Sequence, residues 1–276
     1  MENKIESIDI TLTPGELEIK RDNGELRNKL VVVIDVLRAT SVMITALQNG
    51  ASGIIPTSTI EHAFKIKNKL KEKAMLCGER GGKILPGFCI GTSLCEYKEE
   101  IVKNKIIILT TSHGTQTVES ANGAKEIIIA SCLNASAVGN YLKEKGGDIL
   151  LAASGSICMN ENTKEKREHC GGKEDVVIGC GFVLQGLLKD YPEIKKFWIK
   201  NLEKVSERYL LSGPQKIEDS LLKSRWGKQM LKFDIEEQTN CRKLDIEWIA
   251  KNTNKINIVP VMGDDGIIRI KNLQFF

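Results

Sequence analysis

The chain has 276 residues, a formal net charge of +4 and 28% charged residues. This length is enough for a large buried core, and a small positive charge scattered along the chain gives little support for nucleic-acid binding. No apolar stretch reaches the roughly 20 residues of a membrane span, and the polar first residues do not form an export signal. The sequence therefore predicts a soluble, cytoplasmic protein without nucleic-acid or membrane partners.

The eight cysteines include no Cys-x-x-Cys pair. In a chain of this size without an export signal, we expect reduced thiols rather than disulfides. Several of the cysteines are expected to act as small core residues. Only three histidines accompany them, so the spacing does not predict a structural zinc site.

The first 60 residues alternate apolar runs with helical patterns. Residues 5–20 predict a half-buried strand near a sheet edge, interrupted at Pro14-Gly15. The run Val31–Ile34 is apolar throughout, which is typical of a strand buried on both faces. A helix is predicted from Thr40 to Asn49, and Ser58-Thr59-Ile60-Glu61 fits a capping box before the next helix.

The same alternation continues along the chain and decides the fold class. Further strands are predicted at residues 53–56, 74–77, 106–109, 126–130 and 149–153, with helices at 115–121 and 134–142. This order predicts an α/β fold with three layers, α/β/α, around a largely parallel, mixed sheet.

The remaining part of the chain is predicted to be mostly helical. Its predicted parts are a polar loop at 154–172, an apolar helix at 174–188, lysine-rich helices over 193–250 and a closing hairpin of 256–262 with 267–270. No linker requires a domain boundary. Residues 1–276 are therefore predicted to form a single domain, with a helical subregion at 190–250 and a helical C-terminal portion.

Polar residues follow four of the predicted strands directly. They are Asp35 to Arg38, Gly78 to Gly82, Thr110 to Thr115 and Ser154 to Ser156. The carboxyl ends of parallel strands meet at one edge of a sheet, and open α/β folds bind their ligands there. The sequence thus predicts an active site at this edge.

Asp35 and Arg38 follow the most apolar of these strands. An aspartate at this position is suited to bind Mg²⁺ or to act as a carboxylate nucleophile. The planar guanidinium of Arg38 is suited to phosphate, sulfonate or carboxylate. A helix cap at Asp35, or a structural ion pair between the two residues, is the alternative that the sequence leaves open.

The segment Glu79-Arg80-Gly81-Gly82 places an acid and a cation in a glycine turn. Adjacent glycines let backbone amides approach an anion closely. A turn that only reverses the chain direction is the alternative.

Thr110 to Thr115 combines hydroxyl groups and Gly114 with a predicted helix start, which favours an oxyanion. Ordinary Ser/Thr capping explains the pattern nearly as well. His113 could act as an acid here, but a single histidine without a visible partner does not establish that role.

Glu174 and Asp175 open a predicted helix, where acids complement the positive end of the helix dipole. Their functional alternative is to bind Mg²⁺ or to orient water, if the loop before them folds back to the sheet edge.

Five segments, in this order and spacing, resemble the 2-phosphosulfolactate phosphatase family. They are Val33–Ser41, Gly78–Gly82, Pro86–Phe88, Thr110-Thr111 with Gly114-Thr115, and Leu133–Val138. Val259-Pro260-Val261 also resembles the closing strand of that family. The resemblance implies a Mg²⁺-dependent phosphatase that hydrolyses 2-phospho-3-sulfolactate to 3-sulfolactate and phosphate, a step on a route to coenzyme M.

The resemblance implies which residues form the site, and our inference assigns their roles. Catalysis is assigned to Asp35, Glu79 and Arg38. Substrate and phosphate binding is assigned to Arg38, Arg80, Gly81, Gly82, Thr111, Gly114 and Thr115. Mg²⁺ binding is assigned to Asp35, Glu79, Glu174 and Asp175.

Two loops depart from the family pattern. Gly87–Leu94 lacks the acid, the amide and the proline of the common Gly-Phe-Asp-x-Gly-Asn-Ser-Pro, and Ser112-His113 replaces a Thr-Asn pair. These changes leave the organic part of the substrate open. A non-catalytic binder of carboxylate, sulfonate or phosphate metabolites is the alternative function. The sequence also leaves open whether water or Asp35 attacks the phosphorus, and whether the protein forms homo-oligomers.

Overall fold

A computed structural model describes residues 4–155, 174–188 and 216–271. The strands in these ranges are β1 (Ile5–Thr11), β2 (Lys29–Ile34), β3 (Gly53–Thr57), β4 (Ala74–Arg80), β5 (Lys83–Ile84), β6 (Ile106–Thr110), β7 (Glu126–Ala130), β8 (Gly147–Ala153), β9 (Pro260–Met262) and β10 (Ile268–Ile270). The helices are α1 (Pro14–Asp22), α2 (Ala39–Gln48), α3 (Ile60–Leu70), α4 (Glu99–Val102), α5 (Gly114–Ser120), α6 (Ala135–Lys145), α7 (Glu174–Leu188), α8 (Ile217–Lys223), α9 (Arg225–Glu236) and α10 (Cys241–Lys251). Short 3₁₀ turns lie at Lys71–Lys73 and Leu94–Glu96.

The strands form one mixed sheet in the order β1-β8-β2-β7-β9-β10-β3-β6-β4-β5. The pairs β1/β8, β8/β2, β2/β7, β3/β6 and β6/β4 are parallel. The other four pairs are antiparallel, and they are β4/β5, β7/β9, β9/β10 and β10/β3. The prediction of a three-layer α/β fold with a largely parallel, mixed sheet is confirmed.

The closing hairpin of β9 and β10 lies in the middle of the sheet. It joins two parallel halves, because Val261 pairs with Ile128 of β7 while Ile268 pairs with Ile54 of β3. Gly53 permits this close approach, since a Cβ atom there would lie 2.5 Å from Cγ2 of Ile267. The predicted hairpin is therefore confirmed, and its place between the two halves is a new finding.

Strand β2 is buried on both faces, as its apolar sequence predicts. Its residues Val31, Val32, Val33 and Ile34 have no exposed surface. Burial of one such side chain stabilises a fold by about 1.5–3 kcal/mol, so the strand is a rigid support for the polar residues that follow it.

The helices cover the sheet in packed groups. One group contains α1, α2 and α5, and another contains α6 and α7, which approach closely at Gly139 and Gly186. At Gly179, α7 lies directly on β2, because a Cβ atom there would meet Ile34 at 2.7 Å. Gly179 and Gly186 of α7 thus permit close packing.

Helices α8, α9 and α10 pack against one another, and α8 and α9 also contact α7. They confirm the helical C-terminal portion over residues 216–251. Residues 189–215, and most of the predicted loop at 154–172, lie outside the described ranges. Among the described helices, none has the length and apolarity that a membrane span requires.

Two local predictions were wrong. Residues 14–20 are helical rather than extended, because Pro14 occupies the first turn of α1 and the Thr13 hydroxyl accepts a hydrogen bond from the Glu16 amide. Proline suits this position, where its missing N–H is not needed. The cap of α3 is Thr59, which accepts from the His62 amide at 3.2 Å, and not the predicted capping box that begins at Ser58.

Candidate active site

A narrow pocket of about 20 Å³ lies at the carboxyl ends of β2, β4 and β6, and we call it the inner pocket. Its lining residues are Asp35, Leu37, Arg38, Ala39, Glu79, Thr92, Thr111, Ser112, His113 and Trp226. Four predicted site residues, Asp35, Arg38, Glu79 and Thr111, therefore meet in one pocket.

The backbone at Asp35 is fixed by the start of α2. The Asp35 amide donates to the Thr40 hydroxyl at 2.9 Å, and that hydroxyl donates back to the Asp35 carbonyl at 2.8 Å. This exchange holds the buried carboxylate, which is 3% exposed, at the pocket wall.

Gly114 lies against this corner. A Cβ atom at Gly114 would be 2.3 Å from Cβ of Ala39 and 2.7 Å from Oδ2 of Asp35. The turn after β6 therefore reaches across to the end of β2 only because residue 114 has no side chain. Phosphate binding by the Gly114 amide stays a prediction.

Arg38 is buried and is held by two partners. One terminal nitrogen donates to Oδ2 of Asp245 at 2.7 Å, and the other donates to the Thr92 hydroxyl at 2.9 Å. The ion pair between Arg38 and Asp245 thus connects the end of β2 to α10, a helix about 200 residues later in the chain.

Asp245 is a site residue that its local sequence did not predict. Its carboxylate also accepts hydrogen bonds from the Ser93 hydroxyl at 2.9 Å and the Leu94 amide at 2.8 Å. Burial raises the pKa of Asp245, while Arg38 and these two donors act in the opposite direction. One signal was available, because Arg242 and Asp245 share the buried face of α10 with Ile246 and Ile249.

Glu79 connects the glycine turn to the loop after β6. It accepts from the Gly82 amide at 2.7 Å, the Ser112 amide at 2.8 Å and the Ser112 hydroxyl at 3.2 Å. Gly81 and Gly82 have φ values of 59° and 84°, which glycine adopts readily, and they turn β4 back into β5.

The glycine amides of this turn donate within the protein, because Gly81 donates to the Ser112 hydroxyl at 3.2 Å. The turn therefore does reverse the chain, as the alternative interpretation held. Arg80 donates to the carbonyls of Glu79 and Ser58 and is not among the residues that line the inner pocket. Roles of Arg80, Gly81 and Gly82 in phosphate binding stay predictions.

Thr111 and Thr115 cap each other at the start of α5. The amide of each residue donates to the hydroxyl of the other at 3.1 Å. Thr115 is fully buried, whereas Thr111 lines the inner pocket, as does His113. The capping interpretation thus describes what both hydroxyls do, and a role in substrate binding stays a prediction.

Of the two acids at the start of α7, only the side chain of Asp175 is described. The Asp175 side chain is fully buried. Burial of Cys132 raises the pKa of its thiol, and the charge of Asp175 raises that pKa further. Asp175 lines neither the inner pocket nor the larger pocket beside it.

Across the described ranges, no group of three or more His, Cys, Asp or Glu side chains is placed to hold a metal ion. Asp35 and Glu79 are the carboxylates that line the inner pocket.

A wider pocket of about 560 Å³ adjoins the inner pocket, and we call it the outer pocket. Its lining residues are Arg38, Glu79, Gly82, Lys83, Ile84, Gly91, Thr92, Ser93, Cys95, Glu96, Glu237, Thr239, Cys241 and Arg242. It shares Arg38, Glu79 and Thr92 with the inner pocket, so one ligand could occupy both. The loop at 91–96 lies over the same sheet edge.

The C-terminal helices form the far wall of the outer pocket. Arg242 of α10 donates to Asp234, Glu237 and the Gly82 carbonyl, at distances from 2.8 to 3.3 Å. The ring of Phe233 lies so close to Gly82 that a Cβ atom there would be 2.6 Å away. Neither Arg242 nor Trp226 was predicted as a site residue.

Comparisons with known proteins match the part of the chain that carries both pockets. A family model described as 2-phosphosulpholactate phosphatase matches residues 17–265, which include both pockets. A probable 2-phosphosulfolactate phosphatase of Carboxydothermus hydrogenoformans is 34% identical over 253 residues, or 92% of each chain.

Other relatives are similar over a shorter stretch. A protein of the same description from Thermotoga petrophila is 52% identical over 128 residues, which are 46% of this chain and 54% of that protein. A third, from Clostridium perfringens, is 44% identical over 138 residues, which are 49% of this chain and 56% of that protein. The matched stretch spans about half the length of these two relatives.

Proposed function

The chain belongs to the 2-phosphosulfolactate phosphatase family, and we propose that it hydrolyses 2-phospho-3-sulfolactate, or a related small 2-phosphohydroxy acid, to the hydroxy acid and phosphate. The observation that carries this proposal is the meeting of Asp35, Arg38, Glu79 and Thr111 in the inner pocket. Residues of three different strand ends meet there. The family resemblance assigns such a step to a route to coenzyme M, and the activity makes the protein a phosphoric monoester hydrolase.

Arg38 is the residue we assign to bind the phosphoryl group. A guanidinium has five N–H donors, and Asp245 and Thr92 each use one donor of Arg38. Three donors therefore remain for oxygen atoms of a ligand. Leu37, Ala39 and Trp226 supply apolar surface around the pocket, which strengthens the attraction between a buried cation and an anion.

Asp35 and Glu79 fit a Mg²⁺ ion by the chemistry of their oxygen donors. Mg²⁺ in phosphoryl-transfer sites is commonly held by one or two carboxylates, together with water and substrate phosphate. A carboxylate has about four acceptor positions, and three protein donors to Glu79 leave one for a ligand. When bound, the ion would neutralise charge on the phosphoryl oxygens. We retain Glu174 and Asp175 as proposed further ligands.

The organic acid of the substrate is proposed to extend into the outer pocket. This pocket shares Arg38, Glu79 and Thr92 with the inner pocket and adds the cations Lys83 and Arg242. Asp234 and Glu237 already pair with Arg242, whereas Lys83 is exposed at the end of the glycine turn. We therefore assign Lys83 to the sulfonate or carboxylate of the substrate.

Two chemical routes agree with the position of Asp35. In one, Asp35 attacks the phosphorus and forms an acyl phosphate that water then hydrolyses. In the other route, Asp35 would bind the Mg²⁺ ion, and a water molecule would attack the phosphorus directly. Brief reaction with substrate followed by borohydride reduction distinguishes them, because only an acyl phosphate at Asp35 would be reduced to the alcohol and detected by peptide mass spectrometry.

Phosphate release from a panel of small 2-phosphohydroxy acids tests the function. We expect release with Mg²⁺, loss of release after EDTA treatment, and recovery when Mg²⁺ is returned. Full activity of the EDTA-treated protein would contradict the role of the metal. Tight binding of the panel by calorimetry without any phosphate release would instead identify a non-catalytic binder of these metabolites.

A further inference from the structure

Two cysteine side chains lie together at the wall of the outer pocket. Cys95 belongs to the turn at Leu94–Glu96 and is exposed, while Cys241 is the first residue of α10 and is partly exposed. Both residues line this pocket, and the interaction between their side chains contributes to the raised pKa of the Cys241 thiol. The two thiols are therefore neighbours, although they lie far apart in the sequence.

The surrounding contacts hold both thiols in place. The Ser93 hydroxyl lies 3.3 Å from Sγ of Cys95 and donates to the Asp245 carboxylate at 2.9 Å. Asp245 follows Cys241 by one helical turn, so these two residues lie on the same face of α10. One carboxylate thus anchors the two segments that carry the thiols.

We propose that Cys95 and Cys241 form a reversible intramolecular disulfide when the protein meets a small disulfide such as glutathione disulfide. The thiolate of Cys95 attacks one sulfur of glutathione disulfide and releases one glutathione thiolate. The thiolate of Cys241 then attacks the Cys95 sulfur of the mixed disulfide and releases the second glutathione. Two protein thiols are oxidised, one disulfide is reduced, and the two protons go to the two glutathione thiolates.

Accessibility sets this pair apart from the other described cysteines. Cys77, Cys132 and Cys180 are buried, and burial raises the pKa of each thiol, which keeps them unreactive. Cys89 is exposed but does not line the outer pocket. Burial and the neighbouring Cys95 also raise the pKa of Cys241, so the more exposed Cys95 is the first thiol to react.

The disulfide would join the loop at 91–96 to the start of α10. Both segments hold Arg38, the first through Thr92 and the second through Asp245. Oxidation would thus restrain one wall of the substrate pocket and make the shape of that wall depend on the thiol and disulfide content of the surroundings.

Peptide mapping of the full chain tests the proposal. Trypsin leaves Cys89 and Cys95 on one peptide, residues 84–98, and Cys241 on another, residues 233–242. The Cys89→Ser variant is therefore the background of choice. After incubation with glutathione disulfide we expect a cross-linked pair of these peptides, lighter than the sum of the reduced peptides by two hydrogen atoms and separated by dithiothreitol.

Two further variants make the outcome decisive. In Cys241→Ser, we expect Cys95 to keep one glutathione as a stable mixed disulfide. In Cys95→Ser, we expect no cross-link between the two peptides. Persistent glutathione on Cys95 in the Cys89→Ser protein, with Cys241 still free, would overturn the proposal, and so would the absence of any reaction at Cys95. None of these readouts depends on phosphatase activity.

Discussion

The inner and the outer pocket share three residues but are built in different ways. The walls of the inner pocket come mostly from residues at or just after the carboxyl ends of β2, β4 and β6, and hydrogen bonds hold them. The outer pocket is much larger and is completed by the loop at 91–96 and by α9 and α10. Rigid strand ends suit the reacting groups, while loops and an added helical layer suit the varied part of a substrate.

The largest effect is expected for Asp35 in the inner pocket. Asp35→Asn keeps the size of the side chain but removes its charge, so both the metal-binding and the nucleophilic role are lost. We expect phosphate release to fall by about 10³-fold or more, measured as kcat under saturating substrate and Mg²⁺. Asp265→Asn, in the exposed turn before β10, is the matched control. Near-normal turnover of Asp35→Asn would place the chemistry elsewhere.

The Arg38–Asp245 pair is expected to show the next largest effect, because it joins the two pockets. Asp245→Ala leaves a buried guanidinium without its carboxylate, and we expect the free energy of unfolding to fall by about 3 kcal/mol in urea denaturation. The double variant Arg38→Met with Asp245→Leu should recover most of this stability while remaining inactive. If the double variant regained activity, Arg38 would not be the phosphate ligand.

Gly114 tests how closely the two sides of the inner pocket must approach. Gly114→Ala places a methyl group against Ala39 and Asp35, so we expect a loss of about 2 kcal/mol in unfolding free energy and lower turnover. Gly186→Ala is the control, since its nearest contact would be an ordinary 3.6 Å. Equal stability of the two variants would show that the corner adapts to a side chain.

Two buried aspartates are expected to respond to pH in opposite ways. Burial raises the pKa of Asp245 above its ordinary 3.8. The stability gained by protonating Asp245 in the folded state is therefore complete below that value and is lost as pH rises through the raised pKa. For Asp234, burial also acts upward, but hydrogen bonds from Lys243, Thr239 and Arg242 outweigh it and lower the pKa. Its contribution is present above 3.8 and is lost as pH falls through the lowered pKa.

Unfolding free energies measured from acid to neutral pH in Asp245→Asn and Asp234→Asn check this contrast. Relative to the parent protein, Asp234→Asn should lose less stability as the solution becomes acidic. Asp245→Asn should lose less stability than the parent protein as pH rises above 3.8. Identical pH profiles of the two variants would contradict the assignment of opposite shifts.

The smallest effect is expected at the rim of the outer pocket. Lys83 is exposed, so an ion pair with the substrate there contributes modestly, and we expect Lys83→Ala to raise KM by about two- to fivefold with kcat unchanged. The increase should vanish for a phosphomonoester without a second acidic group. Lys69→Ala, an exposed lysine of α3, is the control. An equal rise in KM for both kinds of substrate would remove Lys83 as a determinant of specificity.

The inner pocket was largely predictable from sequence, and the outer pocket was not. Asp35, Glu79 and Thr111 each follow an apolar strand, and parallel strands bring such positions to one edge. Asp245, Trp226 and Arg242 reach the site through packing of distant helices, which no local pattern encodes. Asp245 lies 207 positions from Arg38, and only a charged residue on an apolar helix face indicated that it would be buried.

The central position of the β9 and β10 hairpin determines when the sheet can be completed. Residues 260–270 are synthesised after every other strand that the structure describes, yet they form the bridge between β7 and β3. A nascent chain therefore carries two half-sheets whose inner edges have open hydrogen-bonding groups until the hairpin leaves the ribosome. Such edges attract other strands, and contacts over this sequence distance form slowly. Chains cut short before residue 260 are expected to aggregate rather than to fold into a smaller enzyme.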